Sequence, residues 1–153
     1  MISRASEEIL YAAKNTIAAD IPAILATMQT EAGDNIPLPD FKIYGLGYNV
    51  EAKAKYPVIL FHQAEVEIEE SGQNAMSYNF DIEAVIACDD TDPEKLTKKI
   101  MRYAEAVREV VQRNSSLTNA CHYAKVTRVQ YYSGEARQLA IAVITINIFI
   151  EIA

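Results

Sequence analysis

The sequence predicts an α+β fold: a mostly antiparallel sheet of four to five strands, with an N-terminal helical segment and one central amphipathic helix packed on it. Apolar residues recur every three or four positions near the N-terminus, strand-like alternation fills 65–88 and 125–152, and a helical pattern separates these two regions. This order favours helices packed on one face of the sheet. Since the chain has 153 residues, half of them apolar, we expect a single domain spanning 1–153.

The N-terminal helical pattern begins near Ser6 and is interrupted by Pro22. Proline lacks an N–H donor and clashes with the preceding turn, so either the helix kinks there or Asp20 caps a second helix. We favour two helical pieces, the second ending near Gly33, which share one buried stripe. The stripe comprises Ile9, Leu10, Ala13, Ile17, Ile21, Ile24, Leu25 and Met28.

The next region predicts strands. Residues 41–44 form a short candidate strand, and the run 57–61 is apolar at every position, which is typical of a central strand covered on both faces. Glutamates alternate with apolar residues over 65–69, which indicates a half-exposed strand. Residues 78–88 alternate most clearly, and we expect this strand to form an antiparallel hairpin with the preceding one.

Around Pro93 the apolar period changes from two to nearly four. Thr91 or Asp92 can accept hydrogen bonds from the free N–H groups at a helix start, and Pro93 fits the first turn. The segment 96–111 then predicts an amphipathic helix that stops at Asn114. Two further strands follow, at 125–132 and over Leu139–Ile152.

The sequence predicts no catalytic residues, no metal site and no cofactor. Asp89, Asp90 and Asp92 could attract a hard cation, but they lack the glycine and the distal glutamate of a calcium loop, so we favour helix capping. His62 and His122 are too few and too scattered for a zinc site. No serine lies in a GxSxG sequence, and we therefore expect a protein that is not an enzyme.

A formal net charge of −7 argues against binding that depends on neutralising phosphates. Cys88 and Cys121 are too few for a disulfide framework, and we expect both to be reduced. The unbroken apolar runs are shorter than a bilayer requires, and the charged residues at 4, 7 and 8 do not suit a signal peptide. These features predict a soluble, cytosolic protein.

The glutamates at positions 65, 67, 69 and 70 are typical of a solvated strand face. In a ring they would have a further consequence. Strands arranged around the ring axis would form a negatively charged wall, and such a wall would repel phosphates and let a DNA duplex pass without binding.

The order of these segments resembles that of the tail-terminator and tail-completion proteins of long-tailed phages and prophages, also called head-tail joining or neck proteins. The resemblance covers most of the chain, including the helix before the sheet. It is carried by Tyr56-Pro57-Val58-Ile59-Leu60, the acidic hairpin, Asp89-Asp90-Thr91-Asp92-Pro93-Glu94, the helix through Arg102-Tyr103-Ala104-Glu105-Ala106-Val107, and the closing strands.

The resemblance implies a structural subunit that forms a homo-oligomeric ring, typically a hexamer. The ring would sit on the last tail-tube ring, stop polymerisation and join the head connector, first in the host cytoplasm and then in the virion tail or neck. The resemblance implies no catalytic residues in this chain. The candidate lumen or tube contacts are Glu65, Glu67, Glu69 and Glu70, and the candidate subunit interface comprises Tyr131, Tyr132 and Phe149.

Other classes of protein remain open. A small-molecule-binding or regulatory α+β domain would have a deep pocket with a few convergent polar groups. A metal-dependent enzyme would use Asp89, Asp90 and Asp92. A head-completion or tube protein could share a related fold and differ only in its place in the virion.

Overall fold

The computed structural model describes residues 4–51, 55–70, 72, 74–134 and 138–152. These residues form two helices and one five-stranded sheet, so the predicted α+β fold is confirmed. In chain order the elements are α1 (Ala5–Ala32), β1 (Ile43–Leu46), β2 (Val58–Glu70), β3 (Met76–Asp89), α2 (Pro93–Arg113), β4 (Tyr123–Ser133) and β5 (Leu139–Ile152).

The strands lie in the order β1-β2-β3-β5-β4. β1 is parallel to β2, and the other neighbours are antiparallel. The predicted hairpin is confirmed as β2 and β3, with the apolar run and the glutamate segment joined in one strand. Residues 58–61 pair with β1 on one side and with β3 on the other, so the inner position predicted for 57–61 is confirmed there, although the middle strand of the sheet is β3.

Both helices pack on one face of the sheet, where most of the core lies. Residues 58–61 of β2 are buried on both faces, as their unbroken apolar pattern predicts. On the face away from the helices, a smaller apolar cluster includes Val50 from the segment before β2. The other buried members of that smaller cluster are Val58, Leu60, Val85, Ala87 and Leu139.

α1 is a single helix that continues through Pro22, so the prediction of two pieces with Asp20 as a cap was wrong. Pro22 is exposed, while Ile21 and Ile24 beside it are buried in the core. Packing of the apolar stripe on both sides of Pro22 therefore outweighs the missing N–H donor. The Asp20 carboxylate instead accepts a hydrogen bond from the Asn114 side chain.

α1 ends at Gly33, as predicted. Gly33 has a left-handed φ of 62°, and its N–H donates to the Gln29 carbonyl at 3.4 Å. By length and composition α1 would also be able to span a membrane, a criterion that a core helix of a soluble protein meets as well. Its apolar stripe packs into the main core, which accounts for that composition.

α2 begins at Pro93 and is capped by Asp92. The Asp92 carboxylate accepts hydrogen bonds from the backbone N–H groups of Glu94 at 2.9 Å and Lys95 at 3.4 Å. Asp92 is therefore the cap, and the alternative of Thr91 was wrong. The helix ends at Asn114, as the sequence predicts.

Replacing Asp92 with alanine is expected to lower the free energy of unfolding by about 1 kcal/mol, because two backbone donors at the start of α2 lose their acceptor. Urea unfolding monitored by circular dichroism measures this change. Thr91→Ala is the matched control one residue earlier, and its expected effect is within about 0.5 kcal/mol. Equal losses for the two variants would contradict the assignment of the cap.

Candidate interaction surface

The sheet face away from the helices changes from apolar to polar beyond Leu60 of β2. The cross-strand register there places His62, Glu83, Thr145 and Arg128 in one row on that face. Further rows toward the tip of the β2–β3 hairpin also carry polar residues, with Phe149 and Tyr123 in the row of Glu67. We call this polar half of the sheet, on the side away from α1 and α2, the open face.

Carboxylates dominate the open face. Glu65 lies across from Asp81 on β3, and one end row carries both Glu69 and Glu151 with Ser77 between them. Like charges on neighbouring strands repel one another, so this surface holds its carboxylates at an electrostatic cost. We call the group the acidic strip, and it consists of Glu65, Glu67, Glu69, Asp81, Glu83 and Glu151.

The four glutamates chosen as candidate lumen or tube contacts lie on two different faces of the sheet. Side chains alternate along a strand, so Glu65, Glu67 and Glu69 lie on the open face while Glu70 lies on the opposite face. All four are exposed. Glu70 therefore stands outside the acidic strip.

Two of the six carboxylates in the acidic strip contact side chains of described residues. The Glu83 carboxylate lies 2.6 Å from His62 Nε2, and Asp81 accepts a hydrogen bond from Asn147 Nδ2 at 3.0 Å. The remaining four carboxylates form no ion pair within the described part of the chain. These four are Glu65, Glu67, Glu69 and Glu151.

Each side of the sheet ends in a strand with unpaired backbone groups. β1 pairs with β2 only at residues 58–61, and no described strand pairs with residues 65–70 on the side away from β3. At the other edge, no described strand pairs with β4 on the side away from β5. Such edges are the places where a second chain can extend a sheet.

The β4 edge carries positive charge on the open face. Lys125 and Arg128 are exposed, and neither forms an ion pair with a described residue. The sequence alone gives these two residues no special role, because a lysine and an arginine in an alternating strand are typical of a solvated face. Only their position on an edge strand, opposite the acidic edge of the same sheet, distinguishes them.

The three candidate interface aromatics do not lie together. Tyr131 and Tyr132 are exposed on the β4 edge and point to opposite faces, whereas Phe149 is half-buried on β5. Tyr132 is paired with Ile141, about 27 Å along β5 from Phe149 at ~3.4 Å per residue. The aromatic that lies beside Phe149 is Tyr123, a residue outside the predicted strand at 125–132.

A shallow groove of about 380 Å³ lies where the open face meets the apolar cluster. The Tyr48 ring covers His62 with ring centroids 4.5 Å apart, and Tyr132 lines the other side. His62 Nδ1 is buried without a hydrogen-bond partner among the described residues. The groove is thus bounded by two exposed tyrosines and by the hydrogen-bonded pair of His62 and Glu83.

The aspartates before α2 have structural partners. Asp90 accepts a hydrogen bond from the Asp92 N–H at 2.8 Å and lies 2.9 Å from Lys99 Nζ. The hydrogen bond from Lys99 is the main cause that lowers the pKa of Asp90. Asp92 caps the helix, so two of the three aspartates have defined roles in the fold. No three histidine, cysteine or acidic side chains of the described residues converge to hold a metal ion.

Both cysteines are free thiols. Cys88 is buried in the main core, and this burial raises the pKa of its thiol to about 12. Burial also raises the pKa of Cys121. A thiol with a raised pKa has little thiolate at neutral pH and is a poor nucleophile.

No protein-family model matches this chain, and a search of curated protein sequences also finds no match. The described residues define the class of protein: an α+β protein with two helices on one sheet face, an acidic open face and, among those residues, two unpaired sheet edges of opposite charge.

Proposed function

We propose that this chain is a structural subunit of virion assembly that closes into a homo-oligomeric ring, caps the end of a phage tail tube and forms the surface to which the head connector joins. The resemblance in segment order motivates this proposal. The observation that carries it is the acidic strip, which lies on the sheet face left uncovered by the helices.

In a ring, the position of the acidic strip on the uncovered sheet face would have a function. If the subunits repeat about an axis with α1 and α2 outside, the open face of every copy lines the central passage. The open face carries the carboxylates of the acidic strip against the two cations Lys125 and Arg128, so the passage is negative. A negative wall repels the phosphates of a DNA duplex and leaves the duplex free to move.

Light scattering and electron microscopy of the purified protein test the ring. The expected result is one closed assembly with a central hole, at protein concentrations in the micromolar range. Added to elongating tail tubes, the protein should bind one tube end and stop growth. A protein that stays monomeric at every concentration and binds no tube would contradict the proposal.

Charge reversal tests the acidic passage. Glu69→Lys combined with Glu151→Lys changes the net charge from −7 to −3, because each substitution adds two charges. We expect the variant ring to bind duplex DNA at least about tenfold more tightly at low salt, since lysines in the passage can neutralise phosphates. An electrophoretic mobility shift measures this binding.

The matched control carries Glu31→Lys and Glu105→Lys on the helical layer, which give the same net charge of −3, from −7 plus four. These residues are exposed on α1 and α2, outside the proposed passage. We expect the control to bind DNA markedly less than the passage variant. Equal binding by both variants would show that net charge alone is responsible and would contradict an acidic passage.

A small-molecule-binding domain is the second candidate, and the groove at His62 is the observation that favours it. Its volume of about 380 Å³ lies in the range of ligand sites, and the pair of His62 with Glu83 supplies polar groups beside two tyrosines. For this function, ligand screening by thermal shift should give stabilisation that His62→Ala abolishes. A monomer that binds such a ligand would favour this candidate over the ring.

A further inference from the structure

In the described part of the chain the sheet has two unpaired edges with opposite charge, and we infer that they bind one another in neighbouring copies of this chain. In this contact, residues 123–128 of β4 in one copy pair with residues 65–70 of β2 in the next copy, beyond the stretch 58–61 that β1 covers, and the sheet extends across the subunit boundary. The inference rests on the proposed ring and names the surface that closes it. The partner is a second copy of the same chain.

Strand direction supports this contact. β2 runs antiparallel to β3, β3 to β5, and β5 to β4, so β4 and β2 run in opposite directions. Rotation about an axis nearly parallel to the strands preserves these directions in each copy. β4 of one copy therefore meets β2 of the next in antiparallel orientation, and the same rotation keeps all helices on one side.

The register within one copy fixes the height at which the two edges meet. Lys125 lies in the same cross-strand row as Glu65, through Asn147 and Asp81. The charged residues of both edges also point to the same face, because a row of paired residues shares one face. Copies placed side by side at nearly equal height thus bring the basic edge against the acidic edge.

Closure of a sheet requires a stagger between strands. A shift of two residues along the strand keeps every side chain on its face and places Lys125 opposite Glu67. Because the register shift between Val126 and Arg128 takes up one residue of β4, Arg128 then lies opposite Glu65. We assign this staggered register, because it pairs both cations of the β4 edge. Tyr123, which is 50% exposed, then covers the boundary next to Glu69.

Irregularities in both edges limit which partners fit. β2 has a register shift between Gln63 and Glu65, and β4 has one between Val126 and Arg128. Bulges interrupt an edge and discourage unspecific pairing with foreign strands. In this protein the bulges leave only short regular segments beside the charged residues. A partner strand must therefore match those charges, and the edge of a second copy does so.

Two charge-reversed variants test the contact. Variant A carries Lys125→Glu and Arg128→Glu, and variant B carries Glu65→Lys and Glu67→Lys. Each variant alone brings like charges together at every boundary, and we expect light scattering to give the mass of a single subunit. Like charges directly opposite one another destabilise strand pairing.

Mixing the two variants provides the decisive measurement. The reversed β4 of A fits the reversed β2 of B, and the unchanged β4 of B fits the unchanged β2 of A. An equimolar mixture should therefore regain the large assembly, with A and B in equal amounts. This recovery also shows that both variants are folded. As a matched control, Lys98→Glu with Arg108→Glu on exposed positions of α2 should leave the assembly intact.

The possible failures are distinguishable. If wild type forms rings and variant A still forms them, the edge contact is wrong while the proposed function stands. If A and B are both monomeric but their mixture does not assemble, the pairing of these two edges is likewise wrong. A wild-type protein that is monomeric at every concentration would overturn the proposed function and this contact together.

Discussion

Replacing Phe61 with alanine is expected to lower the free energy of unfolding by about 3–5 kcal/mol. The Phe61 side chain is fully buried in the main core, on β2 between β1 and β3. Its removal loses the transfer free energy of the ring and leaves a cavity among side chains that are held by two neighbouring strands. The strands can close such a cavity only in part, which places the expected loss at the high end for one substitution.

Ile68→Ala is the matched control for Phe61→Ala. Ile68 lies on the same strand, and its side chain is 55% exposed, so the expected loss is below about 1 kcal/mol. Urea unfolding should be measured at low protein concentration, because assembly would add to the apparent stability. A similar loss for both variants would show that residues 58–61 are less well packed than the structure indicates.

Replacing Pro22 with alanine is expected to raise the free energy of unfolding by about 1–3 kcal/mol. Pro22 lies inside α1 on the exposed side, so alanine removes no buried contact. Alanine also supplies the N–H donor that proline lacks and removes the clash of the ring with the preceding turn. Thermal or urea unfolding measures the gain.

Ala26→Pro is the reciprocal control, four residues further along the same helix. Ala26 is also exposed, so the change disturbs backbone hydrogen bonding without altering the buried stripe. We expect a loss of about 3 kcal/mol. If Pro22→Ala did not raise the free energy of unfolding, proline would cost the helix nothing at this position. That result would favour a kink in α1 at Pro22 over a continuous helix.

The sequence was sufficient to predict the ends of an element where its periodic pattern was long and unbroken. Alternation over β5 predicted both of its ends, and the change of period at Pro93 predicted the start of α2. It was less accurate for short or interrupted elements. The predicted strand at 41–44 starts two residues before β1, and the helical pattern was divided into two pieces at Pro22, where α1 is continuous. At Pro22, packing of the buried stripe outweighs the local preference of proline for a helix break.

The choice between Thr91 and Asp92 shows a second limit. Both side chains can accept hydrogen bonds from a helix start, and composition alone does not separate them. The backbone at Asp92 is extended, with φ −93° and ψ 116°, and its carboxylate reaches two N–H groups. Only the geometry of the turn before Pro93 decides the cap.

The sequence by itself determined the α+β class, the alternation that puts Glu65, Glu67 and Glu69 on one face, and the long final strand, because these depend on side-chain periods within single elements. The tertiary structure alone decided which strands are neighbours. β3 pairs with β5, and β4 lies outside β5, so Lys125 shares a row with Glu65. No local pattern encodes that relation, since it arises from contacts between segments far apart in the chain.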